Sequence, residues 1–282
     1  MRYRTIPPDS RLAKYIECFW TLESQEKVSM ASPERILPDG CVELIFNLAD
    51  PFRRHHFDGE VEVQPSSIIA GQMQHYAMIE PAGRVQLFGV RFHPGGAYPF
   101  LQFPLSELTN KIVAVDDIWP RIGRELAERV HSGRSLYERI KTMEEEFRER
   151  LSSHNGGDKL VDAVVKMIVR REGLISMDRL WKNLGISGRQ LERKFKTAVG
   201  ISPKFLCRIL RFQKVFKAVE LHQTVSWGFI ASECGYYDQA HFIHDFKAFS
   251  GQNPSAYFDQ EYQMSEYFTR KNRLSDFYNT NE

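Results

Sequence analysis

The chain has 282 residues, and its 38 Lys and Arg nearly balance its 36 Asp and Glu, so the formal net charge is only +2. With 42% hydrophobic and 26% charged residues, the composition is that of a globular protein and excludes a disordered or fibrous chain. The length predicts two domains. The longest apolar stretch, residues 42–49, is far shorter than the roughly 20 residues that span a bilayer, and the first residues lack the apolar segment of a secretory signal. We therefore expect a cytoplasmic protein that does not enter a membrane.

The first half of the chain alternates short apolar runs with turn signals. Residues 42–47, 67–70 and 85–92 read as β-strands, and Gly- and Pro-containing clusters separate them. Five later apolar residues recur at near-helical spacing: Leu136, Ile140, Met143, Phe147 and Leu151. This pattern predicts an α+β chain whose β-rich first domain is closed by helices, with a barrel-like or cupin-like shape as one option. The helix over 136–151 either packs within the chain or forms a dimer seam. The polar residues 152–157 predict the domain boundary, so residues 1–157 would form a sensor or dimerisation domain.

The polar residues of this half do not form a pattern typical of an active centre. No His-x-His or His-Glu-x-x-His occurs, so we expect surface or core histidines rather than a metal site at His55, His56, His75 and His93. Asp39 and Glu43 flank a turn and a strand start, where a turn-capping aspartate is favoured over a catalytic acid. The four cysteines lack a Cys-x-x-Cys pair and are expected to be small buried apolar residues. The sequence thus predicts no metal, no cofactor and no enzymatic activity.

The near-neutral total hides an unequal distribution of charge. Residues 1–157 carry 19 Lys and Arg against 22 Asp and Glu, residues 158–257 carry 16 against 9, and residues 258–282 carry 3 against 5. Within residues 179–217 there are 11 basic residues and a single acid, Glu192. A basic block of this kind is either a solvated helix face or the electrostatic footprint of a nucleic-acid-binding domain.

An internal repeat lies in the same region and favours the second interpretation. A shift of 51 positions places Leu191, Phe195, Lys196, Gly200 and Pro203 on Phe242, Phe246, Lys247, Gly251 and Pro254. In both copies a short helical stretch runs into a glycine turn, and Ser187 or Asp238 then stands where a helix N-cap is needed. A helix, a glycine turn and a capped helix form the pattern of a helix-turn-helix motif. The sequence therefore predicts two such motifs and DNA binding.

One long helix is predicted between the two motifs, over residues 203–222. Its apolar positions step by four and three along a single stripe: Phe205, Ile209, Phe212, Phe216 and Val219. Its basic residues lie off that stripe: Arg208, Arg211, Lys214 and Lys217. A buried connecting helix would hold the motifs at a fixed separation, and recognition helices about 34 Å apart enter successive major grooves of DNA. One chain would then read two adjacent half-sites.

Residues 158–257 resemble the DNA-binding domain of the AraC/XylS family of bacterial transcription regulators. The resemblance is most specific at Gly235-Tyr236-Tyr237-Asp238-Gln239-Ala240-His241-Phe242-Ile243-His244-Asp245-Phe246-Lys247 and at Gly251-Gln252-Asn253-Pro254-Ser255-Ala256-Tyr257. It implies an all-α tandem helix-turn-helix domain over residues 158–262, followed by a tail over 263–282. Many family members have arginine where this chain has His244, which predicts a pH-sensitive contact at that position.

The resemblance also implies that the second helix of each motif lies in the major groove. The side chains that would then face bases are Arg189, Glu192, Arg193, Gln239, Ala240, His241 and His244. Their chemistry fits, because Arg pairs with guanine, Gln with adenine, Glu with the cytosine amino group and Ala with the thymine methyl. The residues assigned to phosphate contacts, which position the protein without reading sequence, are Ser187, Lys194, Lys196, Asp238 and Lys247.

The N-terminal half resembles a domain found ahead of AraC-type modules. The matching segments are Ile36-Leu37-Pro38-Asp39-Gly40 and Gly89-Val90-Arg91-Phe92-His93-Pro94-Gly95-Gly96. Together with the AraC/XylS resemblance, this implies a bacterial transcription factor that binds promoter or operator DNA in the nucleoid and works with RNA polymerase. It favours an activator over a repressor. A small-molecule effector or a homodimer contact would belong to the N-terminal domain, and coupling would run through the helices and linker of residues 121–157. The sign of regulation stays open. The alternative is a ligand-handling or metal-dependent enzyme whose DNA-binding domain is a regulatory appendage.

Overall fold

The structure is a computed structural model that describes residues 1–28, 33–152, 157–222 and 225–259. Its strands in these ranges are β1 Arg2–Ile6, β2 Ile16–Lys27, β3 Glu34–Ile36, β4 Val42–Asn47, β5 Phe52–His55, β6 Val61–Val63, β7 Ser67–Ala70, β8 Ala77–Pro81, β9 Arg84–Phe92 and β10 Ile112–Ala114. Its helices are α1 Tyr98–Leu101, α2 Val115–Ile118, α3 Ile122–Ser132, α4 Leu136–Ser152, α5 Lys159–Arg170, α6 Met177–Leu184, α7 Gly188–Val199, α8 Pro203–Leu221, α9 Trp227–Glu233, α10 Gln239–Ser250 and α11 Pro254–Phe258. The chain is thus β-rich first and helical afterwards, as predicted.

The strands form two antiparallel sheets. The larger sheet has the order β1-β2-β9-β4-β7-β10, and the smaller has the order β3-β8-β5-β6. Neither sheet closes on itself within the described ranges, so the N-terminal half consists of two open sheets rather than one closed barrel. The three predicted strands correspond to β4, β7 and β9, which are adjacent in the larger sheet.

Each face of the larger sheet is covered by a different layer. On one face Trp20 packs in an apolar cluster with Phe52 of the smaller sheet. On the other face Phe88 packs in a cluster with Met143 and Phe147 of α4. Because these two α4 residues are fully buried in the domain core, the helix predicted over 136–151 packs within the chain.

One glycine permits the layer between the sheets. Gly89 of β9 lies opposite Trp20 of β2 in the strand register. A Cβ at position 89 would lie only 2.1 Å from the indole ring of Trp20, and no side chain can occupy that space. Glycine within a strand commonly marks such a close approach, and here it admits the largest fully buried apolar side chain.

The helical half packs around α8. Phe212 and Phe216 of this helix contact Phe246 of α10, with ring centroids 5.2 and 6.1 Å apart. The predicted apolar stripe of α8 is buried or half-buried throughout. The helix also buries a polar residue away from that stripe: Gln213 donates a side-chain hydrogen bond to the carbonyl oxygen of Pro38, in the turn before β4. The connecting helix therefore contacts the N-terminal half directly.

Two further hydrogen bonds join the halves at matching places. The Thr109 hydroxyl donates to the carbonyl oxygen of Gly200, just after α7, at 2.7 Å. The backbone N–H of Tyr76 donates to the carbonyl oxygen of Phe249, at the end of α10, at 3.0 Å. These contacts could couple the two halves more directly than the predicted path through the helices and linker of residues 121–157.

Two predicted segments fall wholly or partly outside the described residues, and two other predictions can be compared with the structure. The predicted boundary includes residues 153–156, and the predicted tail comprises residues 263–282; both sets lie outside the described residues. All four cysteines are free and buried, as predicted. In the part of the chain that the structure describes, no helix is long and apolar enough to cross a membrane.

Candidate nucleic-acid interface

The first predicted motif is formed by α6 and α7. Gly185 turns the chain between them with a φ of 62°, in the left-handed region. Ser187 caps α7: its hydroxyl accepts from the backbone N–H of Gln190, and the Gln190 side chain returns to the Ser187 backbone. This reciprocal arrangement satisfies two N–H groups that a helix start leaves without partners. The predicted N-cap at Ser187 is confirmed.

The second motif, α9 and α10, repeats this construction. Gly235 makes the turn with a φ of 74°, and the carboxylate of Asp238 accepts from the backbone N–H of His241 at 2.7 Å. Gly200 and Gly251 end the two second helices with φ values of 94° and 76°, a conformation that only glycine adopts without strain. The repeat in the sequence is therefore a repeat in structure, and the predicted N-cap at Asp238 is confirmed.

The second helix of each motif, called here a recognition helix, has a buried face and an exposed face. Leu191, Phe195, Phe242 and Phe246 are fully buried. The opposite faces contain every residue assigned to base contacts, all exposed: Arg189, Glu192, Arg193, Gln239, Ala240, His241 and His244. The structure thus places these residues on the surface, in two groups on equivalent helices.

The phosphate-contact candidates divide into three kinds. Lys196 and Lys247 are exposed in the last turns of the recognition helices. Lys194 is paired with the carboxylate of Asp158, which is the N-cap of α5. The Ser187 and Asp238 side chains are occupied as caps, so what they present outward is a helix N-terminus. Backbone N–H groups at a helix N-terminus favour an approaching phosphate.

The Asp158–Lys194 pair has an electrostatic signature. Burial by itself would raise the pKa of Asp158, but the Lys194 ammonium and the backbone N–H groups of Leu160 and Val161 lower it below its ordinary value. The charged carboxylate is therefore favoured in the folded protein. Lys194 consequently ties α7 to α5, and it is less available to an outside partner than Lys196, the other lysine of α7.

Basic residues of α8 also have internal partners. Arg208 binds Asp245 of α10 through two hydrogen bonds, of 2.8 and 3.2 Å, and Asp245 is only 3% exposed. Lys214 pairs with Glu172 at 2.8 Å. The basic block therefore overstates the charge available for DNA, because part of it balances acids that lie outside residues 179–217.

The sequence analysis did not assign a role to two residues of the second motif. Asp245 fixes α10 against α8 through Arg208. Its spacing of three residues from Phe242 and four from Phe249, both buried, is the signal that it faces inward. Tyr237 has 92% of its surface exposed immediately before Asp238. Its aromatic side chain, in the turn directly before a recognition helix, is the signal that could have identified it as a candidate interface residue.

A buried ionic cluster lies in the N-terminal half. Arg91, which is 1% exposed, binds Glu43 through Nε at 2.7 Å and Asp39 through Nη2 at 2.9 Å. Asp39 also accepts from the backbone N–H of Cys41 at 2.9 Å, so it caps a turn as predicted. Burial raises the pKa of neighbouring Glu17 to about 8, which keeps that carboxyl protonated at neutral pH. We call Arg91, Asp39 and Glu43 the Arg91 cluster.

The four histidines considered as metal ligands do not come together. His55 and His56 pair with Glu80 and Glu62 at 2.9 and 3.0 Å. Burial lowers the pKa of His93 to about 4, so its imidazole is neutral in the folded protein. Among the described residues, no group of three or more His, Cys, Asp and Glu side chains is placed to hold a metal ion.

Two capped recognition helices on one connecting helix define a DNA-binding protein with tandem helix-turn-helix motifs. Comparison with protein families agrees: the family described as a helix-turn-helix domain matches residues 180–260, and a domain of unknown function, DUF6597, matches residues 4–114. The C-terminal part is an AraC-type helix-turn-helix domain, and the chain that carries it is a DNA-binding transcription regulator. Regulators of this type are generally not enzymes.

Solved structures similar to this chain include those of ToxT from Vibrio cholerae. The apo K231A variant from strain SCE256 is 10% identical, with a TM-score of 0.45 over 86% of this chain and 97% of that one. The wild-type protein of the same strain with a bound unsaturated fatty acid is 9% identical, with a TM-score of 0.42 over 90% of this chain and 95% of that one. No curated protein sequence matches the chain.

Proposed function

We propose that this regulator reads two adjacent half-sites on one face of DNA, with α7 in one major groove and α10 in the next. The observation that supports this proposal best is the equivalence of the two helices. Each begins at a polar N-cap, ends at a left-handed glycine and is held at its C-terminal end by the N-terminal half. Their N-terminal halves, which contact base edges in proteins of this architecture, each have one exposed face.

The proposed contacts follow from side-chain chemistry. Arg189 and Arg193 suit guanine, Glu192 suits cytosine, Gln239 suits adenine and Ala240 suits the thymine methyl. His241 and His244 would donate or accept according to their protonation state. Lys196 and Lys247, the two cap positions Ser187 and Asp238, and Lys194 to a smaller degree would bind phosphates.

We further propose that the N-terminal half is a small-molecule sensor and not an enzyme. Effector binding would alter how α7 and α10 are held, because that half contacts the ends of both helices and the middle of α8. RNA polymerase and a second copy of the chain are the other proposed partners, and the bacterial cytoplasm is the proposed location. The domain limits 1–157, 158–262 and 263–282 remain part of this proposal.

Selection from a random duplex pool tests DNA reading. The full chain is used at one fixed salt concentration, because protein–DNA affinity depends strongly on salt. We expect two short selected blocks whose centres lie about one helical turn apart, roughly 10–10.5 base pairs. A single block would show that only one motif reads bases, and the absence of enrichment would contradict sequence-specific binding.

A further inference from the structure

A cavity lies between the two sheets of the N-terminal half. Most of its apolar lining comes from the two sheets: Trp20, Ile45 and Leu87 of the larger sheet and Ile36, Phe52 and Ile79 of the smaller sheet. The cavity encloses about 70 Å³. Since roughly 10–15 Å³ accommodates one water-sized group, it has room for about five to seven non-hydrogen atoms without rearrangement. Its walls suit a small, mainly apolar molecule.

One ionisable group faces this apolar space. Among the described residues that line the cavity, Glu43 is the one with an ionisable side chain; Asn47, Gln64 and Ser66 are the polar neutral ones. Burial raises the pKa of the Glu43 carboxyl, and the Arg91 guanidinium beside it opposes that shift and favours the charged form. Glu43 accepts from Arg91 Nε at 2.7 Å. A carboxylate has about four acceptor positions, so Glu43 can accept from a further donor while Arg91 still holds it.

The formal charge of the surroundings favours a cation. The Arg91 cluster contains one guanidinium and two carboxylates, which leaves one negative charge without an equal positive charge inside the cluster. The cluster is buried, and charges interact more strongly where water is excluded. An ammonium group in the cavity would balance that charge, whereas a carboxylate would be repelled by Glu43.

We propose that the cavity between the sheets binds a small apolar primary amine, with its ammonium group on Glu43 and its hydrocarbon part between Trp20 and Ile79. This inference rests on the effector role of the proposed function, and it names the chemical class of the effector. An ammonium adds the attraction of a full positive charge to its hydrogen bond with the carboxylate, and this attraction is strong where water is excluded. An alcohol of the same shape lacks that charge and therefore binds the same place more weakly.

The site is connected to the DNA-binding half by consecutive contacts. The ligand contact, Glu43, is bound to Arg91, and Arg91 is bound to Asp39 at 2.9 Å. Asp39 caps the turn that contains Pro38, whose carbonyl oxygen accepts from Gln213 of α8. An ammonium group bound to Glu43 thus changes the charge balance of the Arg91 cluster, next to the turn on which α8 rests.

Calorimetric titration of the full chain at pH 7 without DNA tests the site. Three probes of matched shape are used: isopentylamine, isopentanol and isovalerate. We expect isopentylamine to bind at one site, isopentanol to bind about tenfold or more weakly, and isovalerate not to bind. Isovalerate binding as tightly as the amine, or no amine binding, would overturn the inference. Because DNA is absent, either result leaves the proposal for DNA reading unaffected.

Variants localise the binding. Glu43→Gln is expected to weaken isopentylamine about tenfold or more and to change isopentanol by less than about threefold. Ile79→Phe fills the cavity and is expected to abolish binding of both, while Val63→Phe, on the exposed edge strand of the same sheet, leaves both unchanged. If Glu43→Gln does not fold, the preference of the wild type for amine over carboxylate and the Ile79→Phe result decide the question. Amine binding that survives Ile79→Phe would place it elsewhere and refute the site.

Discussion

The two halves of the chain use charge in opposite ways. The N-terminal half buries the guanidinium of Arg91 between its strands, whereas α7 exposes Arg189, Arg193 and Lys196. A buried charge needs partners and fixes the geometry around it. An exposed charge contributes little to stability and remains available to a polyanion. Substitutions in the two halves should therefore affect different measurements. The Arg208–Asp245 pair of the helical half, whose carboxylate is buried, is the exception that tests this distinction.

The largest expected effect is on the pH dependence of stability, through Glu17. Its pKa in the folded protein, about 8, lies above the ordinary value of 4.5 because the carboxyl is buried. With respect to this group, the free energy of unfolding is at its full value below about pH 4.5 and falls as pH rises through 8. The reason is that the carboxyl in the unfolded chain releases its proton at a lower pH than the buried one does. Glu17→Gln carries no such proton. In chemical denaturation between pH 5 and pH 8.5, the wild type should lose roughly 3 to 5 kcal/mol relative to this variant.

The control for this comparison is Glu107→Gln, which changes an exposed carboxylate of the same half. Its denaturation curves should follow those of the wild type at both pH values. Curves of Glu17→Gln that run parallel to the wild type across the range would refute the buried neutral carboxyl.

The next effect concerns the exception, Asp245. Asp245→Asn leaves Arg208 without its buried carboxylate, and breaking a buried pair in this way costs about 3 to 5 kcal/mol of the free energy of unfolding. Glu125→Gln breaks the exposed Arg121–Glu125 pair and should cost no more than about 1 kcal/mol. Urea denaturation measures both. If the two losses are equal, burial does not determine how much an ion pair contributes to the free energy of unfolding of this protein.

A smaller effect is expected in DNA affinity rather than stability. Arg193→Ala should cost about 1–3 kcal/mol of binding and relax the sequence preference at one position, with stability changed by no more than about 0.5 kcal/mol. Arg121→Ala, on the exposed surface of α3's preceding turn, is the matched control and should leave binding intact. Fluorescence anisotropy on the selected site and on single-base variants gives the answer. An equal loss on every sequence would make Arg193 a phosphate contact.

The smallest effect is a change in salt dependence. Lys196→Ala should reduce the slope of log affinity against log salt by about 1, because one fewer counterion is released on binding. Lys194→Ala should change the slope less, since Lys194 is already paired with Asp158. Binding isotherms at several salt concentrations separate the two. Equal changes in slope would show that the Asp158 pair opens when DNA binds.

The sequence predicted the features that depend on local rules. The N-caps Ser187 and Asp238, the glycine turns and the amphipathic second helices are set by residues a few positions apart, so the repeat could be recognised without a structure. In the N-terminal half the three strands with long apolar runs were predicted. The short strand β6 and the twelve-residue β2 were not, because β6 is exposed throughout and β2 includes irregular pairing that interrupts a simple alternation.

The features that depend on distant residues could not be predicted. Arg91 meets Glu43 because their strands are paired with those two residues opposite each other, and register across a sheet is not written in the local sequence. The partnership of Arg208 with Asp245 likewise depends on how α8 crosses α10. For the same reason the basic block indicated the function of the domain correctly while overstating how many of its charges face outward.

The hydrogen bonds from Thr109 to Gly200 and from Tyr76 to Phe249 hold both recognition helices at their C-terminal ends. Two helices held in this way can bind only half-sites whose separation and rotation on the duplex match those of the helices. Each base pair inserted between two half-sites moves the second about 3.4 Å along the duplex and turns it by roughly 35° around the axis. A pair of helices held in fixed positions cannot follow that rotation. The number of base pairs between the two blocks would therefore determine binding as much as the bases themselves do.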